Sequence, residues 1–169
     1  MPVRLLVLAD THLPKRAKRL PDVVLAALAD TDGVIHAGDW VDEATLDLLL
    51  AHSPLVIGVA GNNDGAELHA RLPEVATATI DGVRLAVVHE TGPATGRERR
   101  MEDRFPDTDV LVFGHSHIPW DSTAPRGLRL LNPGSPTDRR RQPSCTYGVL
   151  TLDSGSTTWE LQTVRPSVL

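Results

Sequence analysis

Five short polar clusters hold the residues that could do chemistry in this chain: Asp10-Thr11-His12, His36-Ala37-Gly38-Asp39, Gly61-Asn62-Asn63-Asp64, His89-Glu90 and Gly114-His115-Ser116-His117. Carboxylate, amide and imidazole donors together suit Mn, Fe, Co, Ni or Zn. Asp10 and His12 are separated by one residue, as are His115 and His117, and extended backbone would send both members of a pair to one side. Asp39, Asn62 and His89 raise the set to seven nitrogen or oxygen donors. Seven is too many for one tetrahedral ion but suits two ions that share a carboxylate, here Asp39. Two divalent cations against Asp10, Asp39 and a bridging hydroxide would leave about one net positive charge, enough to attract a phosphoryl anion and stabilise its developing charge. The ions would also draw the pKa of bound water toward about 7, and a spacing of about 3.5–4 Å suits in-line displacement at phosphorus.

Each cluster follows an apolar run, and the ends of such runs are where α/β sheets usually place chemistry. Val3 to Ala9, residues 33–37 and Leu55 to Ala60 are apolar in the manner of buried strands. Between them, Pro21-Asp22 opens a helix through Leu28, and Asp42 caps another through Leu46, Leu49 and Leu50. The β-α-β-α-β order predicts a parallel sheet with right-handed crossovers. After Asp64 the pattern changes. Val75 to Ile80 and Val83 to Val88 flank Asp81-Gly82, a strong hairpin signal. Gly96 to Phe105 reads as a charged helix, and Asp109 to Phe113, Leu128 to Leu131, Tyr147 to Leu152 and Thr157 to Thr163 as strands. The second half is therefore expected to be largely antiparallel. The fold class predicted is α/β, two packed mixed β-sheets flanked by helices, within one domain spanning residues 1–169.

Composition narrows the function classes. A net charge of -5 argues against broad electrostatic binding of nucleic acid, so no stable nucleic-acid partner is expected. Cys145 is the one cysteine, so the imidazoles must carry any metal site without thiolate help. No apolar run approaches the roughly 18 residues of a membrane helix. Met1-Pro2-Val3-Arg4 leads straight into a strand, making a cytoplasmic location the default expectation.

In order and rough spacing, Asp10-x-His12, Gly38-Asp39, Gly61-Asn62-x-Asp64, His89 and Gly114-His115-x-His117 resemble the calcineurin-like metallophosphoesterases. With Asn132-Pro133-Gly134-Ser135 and the short chain, the likeness is to the small prokaryotic phosphodiesterase branch. That resemblance implies an αββα sandwich and two divalent transition-metal ions, manganese first, with iron, zinc, cobalt or nickel as alternatives. It assigns Asp10, His12 and His117 to one ion, Asn62, His89 and His115 to the other, and Asp39 to both. The implied activity is a phosphodiesterase in which hydroxide bridging the two metals attacks phosphorus. The alternatives are a phosphomonoesterase or pyrophosphatase, or a non-catalytic interaction scaffold, as the retromer subunit of this fold is. The partner expected is a small phosphate ester, a nucleotide among the candidates, and relatives suggest a homo-oligomer.

Two positions depart from the wider superfamily. Many of its phosphatases place histidine after the ligand asparagine, whereas this chain has Asn63, which can donate a hydrogen bond but no proton at neutral pH. Glu90 stands where glycine commonly follows the ligand histidine. Asn63 and Asp64 are the catalytic candidates outside the ligand set, Asp64 as the residue that positions the Asn62–Asn63 loop. His36 reads as a core or supporting histidine, His52 and His69 as solvated, and Ser116 as a loop residue. Arg97, Arg99, Arg100 and Arg104, interspersed with Glu98, Glu102 and Asp103, read as a solvated helix face. Arg139-Arg140-Arg141 is equally a pocket rim for a second phosphate and a surface or subunit contact; Trp40 could stack on a base or pack.

Overall fold

The computed structural model describes residues 1–165, which form ten strands and four helices. One five-stranded sheet runs β10-β9-β1-β2-β3, built from β1 (Val3–Leu8), β2 (Gly33–His36), β3 (Val56–Gly58), β9 (Cys145–Asp153) and β10 (Ser156–Val164). The other runs β4-β5-β6-β8-β7, from β4 (Val75–Ile80), β5 (Val83–Val88), β6 (Val110–Val112), β7 (Trp120–Thr123) and β8 (Arg129–Asn132). The helices are α1 (Asp22–Ala29), α2 (Glu43–His52), α3 (Ala66–Arg71) and α4 (Arg97–Arg104).

Side-chain alternation along the strands sorts the apolar residues into layers. Leu5 and Val7 of β1 join Ile35, Leu85, Val87, Val112 and Leu150 in a core between the sheets. Leu6 and Leu8 face the other way, against Val24 and Leu28 of α1 and Leu46 and Leu49 of α2. On the far sheet, Ala86, Leu111 and Leu130 pack on Met101 of α4. The result is helix, sheet, sheet, helix. β1, β2 and β3 pair in parallel, as the β-α-β-α-β order requires.

The second half is less antiparallel than expected, because β5-β6 and β6-β8 pair in parallel at the centre of their sheet. Helix α4 supplies the crossover from β5 to β6, and sequence alone gave no strand at Trp120–Thr123 to mark the antiparallel edge beside β8. The two expected tight hairpins are present, with Asp81, Gly82, Ser154 and Gly155 all at positive φ. They also touch each other: Ser154 N–H donates to Asp81 Oδ2 at 2.6 Å and Gly155 N–H to Asp81 O at 2.8 Å, tying the sheets at one end.

The α4 face is a second correction. Arg97 is buried, its guanidinium 4.8 Å from the Phe113 ring and 4.5 Å from the Trp120 ring. Arg100 donates to the carbonyls of Thr91 and Pro93, and buried Glu102 accepts the backbone N–H of Arg126 at 2.7 Å. Periodicity shows charge, but it does not show that long side chains here close the sheet's outer face.

Candidate metal centre

The polar clusters converge where β1, β2, β3, β5 and β6 end. Backbone bonds knit their loops together: Asp10 N–H donates to Gly38 O, His12 N–H to Asp39 O, and Gly114 N–H to His89 O. Extended backbone is not what aims the side chains. Asp10, His12, Asp39, His115 and His117 all have positive φ, between 45° and 76°. Left-handed residues at alternate positions curl each loop over the sheet edge, a strained arrangement that clusters at functional sites.

Two groups of donors result. Asp10, His12 and His117 are buried and offer ligand atoms within 4.8 Å of one another, as do Asp39, His89 and His115. Asp10 Oδ1 lies 3.9 Å from His12 Nε2 and 3.7 Å from His117 Nε2. Asp39 stands between the groups, Oδ2 at 3.4 Å from His12 Nε2 and Oδ1 at 3.4 Å from His89 Nε2. Asn62 Oδ1 meets the second group, 2.8 Å from His89 Nε2 and 3.1 Å from His115 Nδ1. All seven expected ligand residues are thus brought together.

The imidazoles are oriented from behind. His89 Nδ1 donates to Ala37 O at 2.8 Å and His117 Nδ1 to Asp138 O at 2.7 Å, which leaves each Nε2 to face the carboxylates. His12 Nε2 and His117 Nε2 are buried with no hydrogen-bond partner. Burial lowers the pKa of both rings, His117 to about 4, and with its Nδ1–H given to Asp138 O the Nε2 of His117 carries a lone pair with nothing to accept. Burial, together with the charge of Asp39, pushes Asp10 up to about 8, a carboxylate without its counter-charge. Burial works against ionisation of Asp39 too, but hydrogen bonding with His89 and Asn63 holds it well below the usual range. The unpartnered nitrogens facing Asp10 and Asp39 fit one divalent cation, and the converging donors of Asp39, His89 and His115 suit a second.

Asp64 has the positioning geometry anticipated for it. Its Oδ2 accepts the N–H of Asp39 at 3.0 Å and of Gly61 at 2.7 Å, and its Oδ1 accepts that of Val41 at 2.7 Å. Asn63 donates to Asp39 twice, from its backbone N–H at 2.9 Å and its Nδ2 at 2.8 Å. The Asn132–Ser135 turn braces two loops at once: Asn132 Nδ2 donates to Gly114 O, and Ser135 Oγ to Asp10 O. His36 is a satisfied core residue. Its Nδ1 accepts Gly38 N–H at 3.1 Å, which leaves Nε2–H to donate to Thr11 Oγ1 at 3.0 Å. Trp40 packs rather than stacking on a ligand: it is fully buried against the His36 ring at 3.6 Å and donates to Val59 O. Asp138 was missed, because it serves through its backbone carbonyl, which no side-chain pattern reports.

Comparison with known proteins gives matches over most of the chain. A model of the calcineurin-like phosphoesterase superfamily domain matches residues 3–155. A probable metallophosphoesterase of Methanocaldococcus jannaschii is 35% identical over 134 residues, 78% of this chain and 67% of that protein. A second, of Methanothermobacter thermautotrophicus, is 33% identical over 135 residues, 78% of this chain and 76% of its own. Among solved structures, a Thermotoga maritima protein aligns over 95% of this chain and 99% of its own, with a TM-score of 0.75 and 36% identity. Zinc-bound Vps29 of Entamoeba histolytica aligns over 96% of this chain and 100% of its own, with a TM-score of 0.72 at 24% identity, a likeness of fold.

Proposed function

Because the chain belongs to the calcineurin-like phosphoesterase superfamily, we propose that it is a metal-dependent phosphodiesterase whose centre takes two divalent ions. Asp10, His12 and His117 would hold one ion, Asn62, His89 and His115 the other, and Asp39 both. The observation that carries this reading is the pair of donor groups that meet at Asp39, one with His12 Nε2 and His117 Nε2 buried and unpartnered, the other with Asp39, His89 and His115 donors within 4.8 Å of one another. When bound, such ions polarise phosphoryl oxygens and supply hydroxide near neutral pH; manganese is our first choice.

The chain's own groups set what the centre favours. Asp138 O and Ala37 O fix the tautomers of His117 and His89, so neither ring must reorient on loading. Asn63 stands beside Asp39 as a hydrogen-bond donor that cannot deliver a proton, so leaving groups must depart with little acid assistance. Glu90 Oε1 lies 3.8 Å from His115 Nε2, which places negative charge beside the centre. That charge opposes a dianionic monoester more than a monoanionic diester, which supports diesters as substrates.

The test is hydrolysis of bis(p-nitrophenyl) phosphate and p-nitrophenyl phosphate after chelation and stepwise return of Mn, Fe, Co, Ni or Zn. Metal should restore activity, with the diester preferred. Silence with every metal would favour the scaffold reading, and monoester preference would favour the phosphomonoesterase.

A further inference from the structure

Beside the second donor group lies a cavity of about 270 Å³, walled by Asn62 and His89 on one side and by His69, Glu74, Glu90 and Arg104 on the others. Two of its walls are thus donors of the centre itself, so a group seated here is within reach of a phosphorus held there. The volume falls below the roughly 300–1,000 Å³ of pockets for drug-sized ligands and suits a short alcohol substituent better than a nucleoside. Its charge is uneven, with Glu74 and Glu90 facing the single guanidinium of Arg104. Arg104 itself leans on the Phe105 ring, 5.0 Å from its centroid.

The opposite flank has the opposite sign. The positive charge of Arg140 bears on Asp10, His12 and His117. Its backbone N–H donates to Asp138 Oδ1 at 3.3 Å, two residues beyond the carbonyl that holds His117. Among the described residues its guanidinium makes no ion pair, whereas Arg16 is paired with Asp138 at 3.3 Å.

We propose that the cavity seats the ester substituent that stays on phosphorus, and that Glu74 and Glu90 select a short cationic alcohol there, an amino alcohol, against an anionic one. This rests on the phosphodiesterase reading and adds the class of substrate. An anionic substituent is favoured on the Arg140 side, where no carboxylate pairs with that guanidinium among the described residues, so the centre reads the polarity of an unsymmetrical diester. Complementary charge at a half-exposed wall contributes modestly per pair, and two carboxylates acting together reach a discrimination of about tenfold.

The experiment uses three p-nitrophenyl phosphodiesters whose second substituent is 2-aminoethyl, 2-methoxyethyl or 2-carboxyethyl. Each takes one water and breaks its P–O bond to p-nitrophenolate, leaving the alkyl phosphate and a released proton. With manganese-loaded protein, kcat/KM should order as aminoethyl, methoxyethyl, carboxyethyl, with about tenfold between the extremes. Calorimetric binding of the three matching methylphosphonate monoesters should follow the same order. In Glu90→Gln and Glu74→Gln the aminoethyl-to-carboxyethyl ratio should shrink in both measurements, most in the double variant. Preference for the carboxyethyl ligand, or a ratio that neither substitution moves, overturns the proposal while leaving diester hydrolysis standing. Loss of turnover on all three esters with every metal counts against the enzyme reading instead, and the calorimetric order then decides the cavity's preference alone.

Discussion

Asn63 Nδ2 donates to Asp39 Oδ2 at 2.8 Å, so the side chain nearest the shared carboxylate is an amide that can steady charge but cannot give up a proton. Replacing it with an acid of suitable pKa should help where the leaving group needs one. Asn63→His is expected to raise kcat on alkyl phosphodiesters by about tenfold or more, and to change p-nitrophenyl esters little. A plot of log kcat against leaving-group pKa checks this: the slope should flatten in the variant, and an unchanged slope refutes the role.

Asp64 satisfies three backbone N–H groups, of Asp39, Gly61 and Val41. Asp64→Ala strands all three, and each stranded donor costs about 1–3 kcal/mol less whatever water recovers. Urea unfolding of the metal-free protein should show a loss of about 3 kcal/mol. Asp64→Asn, which still accepts through one oxygen, should lose less.

Gly61 is required by proximity. A Cβ there would overlap Asp39 Oδ1 and the Asp39 backbone nitrogen, and would lie 3.0 Å from its Cγ. Gly61→Ala should therefore displace Asp39 while leaving the sheets intact. Manganese affinity is expected to fall by about ten- to a hundredfold, the range seen when groups that orient ligands are lost. Calorimetric titration reads the affinity, and an unchanged circular dichroism spectrum shows that the fold persists.

His36 gives a pH signature in the metal-free protein. Burial lowers its pKa from 6.5 to about 3. A depressed pKa means the unfolded chain takes up the proton first, so the stability His36 contributes is full above pH 6.5 and is lost as pH falls toward 3. Gln in its place does not titrate. The stability advantage of wild type over His36→Gln in urea unfolding should therefore shrink by about 2 kcal/mol between pH 7 and pH 5. A constant difference would mean that the ring is not held neutral in the fold.

Much of this was legible in the sequence because the chemistry-bearing residues stand at the ends of apolar runs. Val3–Leu8, Gly33–His36 and Val83–Val88 are buried strands whose alternation or continuity is plain, and Asp10, Asp39 and His89 follow within three residues of their ends. Three things were hidden. Arg97 looks like a surface charge until Phe113 and Trp120, far from it in the chain, are folded over its guanidinium. The left-handed backbone at Asp10, His12, His115 and His117 has no glycine to announce it and is imposed by the loops that cross there. The cavity beside Asn62 draws its walls from α3, β5 and α4 and from the loops that follow β3, α3 and β5, and no local pattern reports such an assembly.

The most direct test is metal stoichiometry by equilibrium dialysis with manganese, comparing wild type with Asp39→Asn. The shared-carboxylate account predicts two ions per chain for wild type and fewer than one at the same free manganese for the variant. Two ions bound by Asp39→Asn, or one or none by wild type, would contradict it.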